Sequence, residues 1–240
     1  MITLYSGTPG SGKSYHAIEL ILSILSKGRY VIANFPIKFT QKQIKKGIDK
    51  LFYYYSNEKI TIDELIEFAL EKDFIENGKE SQCLVVIDEA GGRFNCRDFR
   101  DSMRKEWIDF FSQHRKLGFD FILVAQNDRM LDRQIRGYLE YEKKHRKINN
   151  FSAFSMLPLI VFVAVEYWYA LKQRTGSEFI LFKKRIANQY DSMALFSGFT
   201  LSSELIKRIE DKKAGKEKEE VPTGFDVNIN AIYSDEKEVV

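Results

Sequence analysis

The sequence predicts an α/β fold: an open, mostly parallel sheet with helices on both faces, followed by a small β-hairpin region and a C-terminal tail. Three observations carry that expectation. Gly7-Thr8-Pro9-Gly10-Ser11-Gly12-Lys13-Ser14 fits a Gly, four variable residues, Gly-Lys-Ser pattern, between a short apolar strand and a helix-period segment. Cys83 to Ile87 is a continuous apolar run, as expected of a strand buried on both faces in a parallel sheet. Apolar runs of this kind alternate with segments of helical spacing along the first half of the chain.

The glycine-rich stretch has the context its chemistry requires. Ile2, Leu4 and Tyr5 form a strand leading into Gly7, and Ala17, Ile18, Ile21, Leu22 and Leu25 recur at helical spacing after Ser14. Glycines let the backbone turn tightly and offer its N–H groups to a polyphosphate. The helix N-terminus adds about half a positive charge at the same point. Gly7, Thr8, Pro9, Gly10, Ser11 and Gly12 therefore read as a phosphate cradle for ATP, closed by Lys13 and Ser14. Lys13 is expected on the β- and γ-phosphates, and the Ser14 hydroxyl on Mg²⁺.

The next elements follow in order. The first helix is expected from Ser14 to Ser26, with Gly28 just past its end. Tyr30 to Ala33 reads as a strand ending at Asn34-Phe35-Pro36. Lys38, Lys42, Lys45, Lys46 and Lys50 then stand against one acid, Asp49, ahead of Leu51-Phe52-Tyr53-Tyr54-Tyr55. This stretch reads as an amphipathic insertion with solvated lysines and packed tyrosines. The alternative is a grip on nucleic acid by phosphate contact and stacking. Thr61-Ile62-Asp63-Glu64 is a capping box opening a helix with Leu65, Ile66, Ala69 and Leu70 inward, ended by Asn77-Gly78. Gly91-Gly92 reads as a flexible exit, Arg104 to Leu117 as an amphipathic helix stopped by Gly118, and Phe119 to Ala125 as a fourth strand.

Asp88 and Glu89 close the Cys83–Ile87 run, the position of a Walker B carboxylate. One acid suits Mg²⁺ and the next suits orienting and deprotonating an attacking water. Gln126, at the tip of the fourth strand, is placed to sense a γ-phosphate. Arg129, Arg133 and Arg136 fall three and four apart, so a single helix would put them on one face. They are candidates for completing a neighbouring subunit's site, or for pairing with Asp128 and Asp132. His114 reads as structural or as a contact residue.

Composition sets broad limits. The 240 residues are 44% apolar and 30% charged, with 37 basic and 34 acidic residues giving a net charge of +3. That balance argues neither for nor against a nucleic-acid partner. Cys83 and Cys96 show no metal-ligand spacing, so a reduced, intracellular setting is expected. A strand running into the phosphate loop does not read as a cleaved signal peptide.

Taken together these residues resemble the zonular occludens toxin (Zot)-like family of filamentous-phage assembly ATPases, over residues 1–196. The resemblance rests on Gly7 to Ser14, Asn34-Phe35-Pro36, Val85 to Ala90, His114 to Gly118, Leu123-Val124-Ala125-Gln126 and Tyr190-Asp191-Ser192. It implies an ATP-driven, ring-forming machine at the cytoplasmic face of the host membrane, in contact with membrane assembly proteins, extruding single-stranded phage DNA. Many members carry a spanning helix after Tyr-Asp-Ser. Residues 197–240 contain no apolar run of that length, only Leu201, Leu205, Ile206 and Ile209 at helical spacing and then a charged, flexible tail. The other apolar stretch, Phe151 to Leu171, follows Lys143-Lys144-His145-Arg146-Lys147. A spanning helix fits its length and flank. Glu166, Pro158 and the β-rich Ile160 to Val165 favour strands, with Glu178 to Lys183 as hairpin partner at 157–185. A small-molecule kinase and a non-catalytic nucleotide-dependent scaffold are the rival functions.

Overall fold

A computed structural model describes residues 1–95, 101–148 and 159–190. The chain divides into Met1–Ser197 and Gly198–Val240, and every described residue belongs to the first unit. The expectations for Cys96, Phe151 to Pro158, Asp191-Ser192 and residues 197–240 lie outside the described residues.

An eight-stranded sheet runs in the order β3-β2-β4-β5-β1-β6-β7-β8. Its strands are β1 (Ile2–Ser6), β2 (Tyr30–Ala33), β3 (Phe52–Tyr54), β4 (Cys83–Ile87), β5 (Phe119–Val124), β6 (Tyr141–Lys147), β7 (Val161–Trp168) and β8 (Gln173–Leu181). The first six pair in parallel, and β7 and β8 add on antiparallel. Every residue of β1, β4 and β5 is buried, because helices cover both faces of the central strands. On one face α1 (Lys13–Ser26) packs Ala17, Ile18, Ile21 and Leu25 against Tyr5, Val31, Val86 and Val124. The short helices α2 (Gln41–Lys45) and α8 (Lys184–Ala187) follow β2 and β8. On the other face, α3 (Ile62–Glu71) and α6 (Asp101–Gln113) pack Leu65, Phe68, Trp107, Phe110 and Phe111 against Leu4, Val85, Phe119 and Phe121.

Several local expectations need correction. Leu70 is exposed and Phe68 is buried, so the inward stripe of α3 is Leu65, Phe68 and Ala69. That helix stops at Glu71, because Asp73 takes a left-handed φ of 58° and starts a separate short helix, α4 (Phe74–Asn77). Gly91-Gly92 is not a flexible exit but part of α5 (Ala90–Arg93). Arg129, Arg133 and Arg136 do not share one helix. Arg129 lies in a single 3₁₀ turn (Asp128–Met130), Leu131 is extended, and Arg133 and Arg136 belong to α7 (Arg133–Arg136). The extended residue between the two turns breaks the three-and-four spacing that a helix face needs.

The basic run 143–147 is β6 itself. Glu142 and His145 are buried while Lys144 and Arg146 are exposed. With the two-residue period of a strand Glu142 shares a face with Lys144 and Arg146, and His145 lies on the opposite face, so burial here does not follow the alternation. The hairpin is not a separate appendage, since β7 pairs with β6 along its whole length, from Tyr141↔Trp168 to Lys147↔Phe162. No helix among the described residues is long and apolar enough to cross a membrane.

Trp107 ties the α6 face together. It is 2% exposed, with Phe94 at 5.1 Å and Phe111 at 5.3 Å between ring centroids. Trp107→Ala should therefore lower unfolding free energy by about 3–5 kcal/mol. A urea melt showing a loss under about 1 kcal/mol would contradict this account of the core.

Candidate nucleotide site

The site forms where β1, β4 and β5 end together. Gly7 leaves β1 with φ 142°, and its N–H donates to the Gln126 carbonyl at 3.0 Å, so the tip of β5 fixes the start of the loop. A Cβ at Gly7 would meet the His145 carbonyl oxygen at 2.5 Å, and one at Gly12 would meet the Phe162 ring at 2.6 Å. Both positions demand glycine on steric grounds, and Gly12 also on its φ of 93°. Thr8, Pro9 and Gly10 are exposed along the crest of the loop, whereas Ser11 is buried beneath it.

Lys13 opens α1. Its ammonium donates to the carbonyls of Gly7 at 2.8 Å and Thr8 at 3.1 Å. Burial pulls its pKa below the usual lysine value, opposed by the charges of Asp88 and Glu89. Beside it, the Ser14 hydroxyl donates to Asp88 Oδ2 at 2.9 Å.

Asp88 is the hub. It is 5% exposed, and other groups hold it on several sides. Asn34 Oδ1 accepts from the Asp88 N–H at 2.7 Å, and Asn34 Nδ2 donates to the Asp88 carbonyl at 2.8 Å. The side chain thus continues the β2–β4 ladder where the β2 backbone turns away toward Pro36. Asn34 Nδ2 also reaches Asn57 Oδ1 at 2.8 Å. Tyr190 donates its hydroxyl to Asp88 Oδ2 at 3.2 Å, its own pKa raised by burial and then by the Asp88 charge. Asp88 Oδ1 accepts the Glu89 N–H at 2.9 Å, and Glu89 sits at φ 52°, left-handed for a non-glycine residue. Such a conformation costs about 1–3 kcal/mol and persists only where its surroundings enforce it. Here it turns the Glu89 side chain out to solvent while Asp88 stays buried.

Ser14, Asp88, Lys13 and the loop thus come together. The Gln126 side chain is exposed beyond β5, directly beside the loop start. Arg129 and Arg133 are exposed, and Arg136 is half-buried. His114 lies away from this site. Its Nδ1–H donates to the Phe111 carbonyl at 2.6 Å, and its Nε2 lies 3.0 Å from the Met1 nitrogen at the opposite end of β1, so the residue is structural. Asn57 and the role of Asn34 escape sequence reasoning because a side chain that mimics a strand partner leaves no spacing signal.

Sequence reasoning also misses a buried histidine pair beneath the loop. His145 Nδ1–H donates to the Lys143 carbonyl at 2.9 Å, leaving Nε2 to accept from His16 Nδ1 at 2.8 Å, and Tyr5 stacks on His16. Burial lowers both pKa values to about 3, helped by Lys143 at His16 and by His16 itself at His145. Glu178 lies 3.4 Å from His16 Nε2, but it is 55% exposed and shared with Lys143 at 3.3 Å, so burial prevails and the pair is neutral.

A glycine loop between β1 and α1, paired carboxylates ending β4 and a strand inserted between β1 and β4 define a P-loop nucleotide-binding fold. The family model described as zonular occludens toxin (Zot) matches residues 1–194, and the chain belongs to that family. It is 29% identical over 136 residues to the gene 1 protein of Enterobacteria phage I2-2, covering 56% of this chain and 37% of that one. It is 30% identical over 142 residues to the gene 1 protein of Salmonella phage IKe, covering 58% and 38%. With that of Enterobacteria phage M13 it shares 25% over 207 residues, covering 80% and 59%. The chain therefore spans between about a third and three-fifths of the length of these relatives. Among solved structures, one ATPase domain superposes with a TM-score of 0.51 at 11% identity, covering 79% of this chain and 84% of that one. The N-terminal domain of zonular occludens toxin from Neisseria meningitidis gives 0.46 at 18%, covering 79% and 98%.

Two outcomes follow from the geometry. Asn34→Ala leaves the Asp88 N–H and carbonyl unpaired in a buried site, so stability should fall by about 1–3 kcal/mol; an unchanged urea midpoint would refute the clamp. For the histidine pair the folded pKa is depressed below the unfolded value of 6.5. The folded state then binds fewer protons, so its stability is full above pH 6.5 and is lost as pH falls from there toward about 3. Urea midpoints at neutral and mildly acidic pH should differ less in His16→Gln than in the native chain.

Proposed function

We propose that this chain hydrolyses ATP as the motor of filamentous-phage assembly, working as a ring of identical subunits. In this reading it acts at the cytoplasmic face of the host membrane, with membrane assembly proteins, and exports single-stranded DNA. Family membership and the similarity to phage gene 1 proteins support the biological setting. The observation that carries the chemistry is the Ser14–Asp88–Glu89 arrangement: a hydroxyl 2.9 Å from a buried carboxylate, with a second carboxylate turned out beside it.

Each residue has a role in that chemistry. The loop amides from Gly7 to Gly12 and the Lys13 ammonium bind the phosphates. Ser14 Oγ and Asp88 Oδ2 are a hydroxyl and a carboxylate on one spot, the hard-oxygen donors that suit Mg²⁺. Bound there, the ion would neutralise charge on the phosphate oxygens. Glu89 orients the attacking water and takes its proton. Gln126, anchored by its own carbonyl at the loop, senses the γ-phosphate. Arg129, Arg133 and Arg136 are assigned as candidates for a group offered to a neighbouring subunit, and Arg129 and Arg133 are exposed as that role needs.

The test compares two variants. Lys13→Ala should abolish tight ATP binding. Glu89→Gln should keep binding and lose at least about a hundredfold in turnover, since an amide holds position but takes no proton. Normal hydrolysis by Glu89→Gln removes Glu89 as the base. A phosphorylated product in place of free phosphate would make the chain a kinase. Binding without turnover, with DNA and membranes supplied, would make it a nucleotide-dependent scaffold.

A further inference from the structure

Two stretches distant in sequence meet beside the site and bring their positive charge together. Lys38, Lys42, Lys45, Lys46 and Lys50 are all exposed, on and around α2 and the 3₁₀ turn Asp49–Leu51. Among the described residues none of the five makes an ion pair, and the only acid in the stretch, Asp49, is half-buried. The second stretch is α8, with Lys184 and Arg185 exposed. Two hydrogen bonds lace the stretches together. The Lys38 N–H donates to the Gln189 carbonyl at 2.8 Å, and Gln189 Nε2 donates to Gln43 Oε1 at 2.6 Å. The two adjoining stretches together carry seven exposed cations, and Asp49 is the only acid within them.

From this surface we infer that the chain holds a single strand of DNA across Lys38–Lys50 and α8; the inference rests on the DNA-export reading above and names its contact surface. Charge complementarity is the first argument, since lysines at this density match a phosphate backbone. Shape is the second. A groove of about 400 Å³ opens beside Lys46 at the C-terminal end of α1, with apolar Leu25, Ile48 and Leu51 in its lining. A base can enter a hollow of that kind. Location is the third. The same two stretches continue directly into Asn34 and Tyr190, the residues that grip Asp88, and Phe35 packs on the Tyr190 ring at 5.1 Å. DNA drawn over the surface bears on both grips at once, a physical route from the strand to the catalytic carboxylates.

The test uses the full chain and a labelled oligothymidylate, read by fluorescence anisotropy across a salt series without nucleotide. The variant Lys42→Ala/Lys45→Ala/Lys46→Ala/Lys50→Ala should bind at least tenfold more weakly. Its plot of log affinity against log salt should be shallower by about 3, since each phosphate that a cation neutralises on a single strand adds about 0.7 to the slope. Arginine at the same four positions should restore both quantities, which separates the effect of charge from a failure to fold. Equal affinity and slope in the native and alanine chains would overturn the inference. So would native binding to phosphatidylglycerol vesicles with none to the oligonucleotide, which would make the surface a lipid contact. ATP turnover without DNA, measured alongside, tests the nucleotide reading separately. If turnover is absent from the native chain but the oligonucleotide result holds, the catalytic reading fails and the DNA surface stands.

Discussion

A buried carboxylate at the end of a parallel strand is the constraint around which this molecule is arranged. Asp88 cannot sit at the edge of the core without partners, because an unpaired buried charge is far costlier than a paired one. Its partners come from every layer: Asn34 at the end of β2, Ser14 at the start of α1, the Glu89 amide and Tyr190 beyond α8. Satisfying one side chain therefore fixes where β2 ends, how α1 starts and where the last described segment returns. The left-handed turn at Glu89 is the local strain that this network sustains, and it leaves one of two adjacent acids buried and the other exposed.

The antiparallel extension bears on the same centre from the other side. β6 carries His145, whose carbonyl oxygen lies against Gly7, and β7 carries Phe162, whose ring lies against Gly12. The phosphate loop is thus wedged between β5, through the Gln126 carbonyl, and the hairpin. Its shape does not depend on its own sequence alone.

What is legible in the sequence is what local physics controls. The loop, β1, β2, β4 and β5 are readable because glycine spacing and continuous apolar runs are short-range signals. The place of β5 between β1 and β4 is set by strand pairing and carries no local signal. β6 reads only as a basic flank, because four of its seven residues are lysine or arginine and its two buried residues, Glu142 and His145, are polar and three apart. The arginine face fails because one extended residue, Leu131, interrupts a spacing that would otherwise be helical. The clamp on Asp88 is invisible for a deeper reason. Asn34 and Tyr190 reach it across 54 and 102 residues, and no local pattern reports a contact of that span.

That span has a consequence during synthesis. Residues 7–14 leave the ribosome long before Tyr190, whose hydroxyl completes the hold on Asp88. A nascent chain with the loop, β4 and even β5 already exposed still has an incompletely gripped carboxylate. The site closes only when the stretch after β8 folds back along α1. The full hold on Asp88 is in this way timed to the completion of the domain.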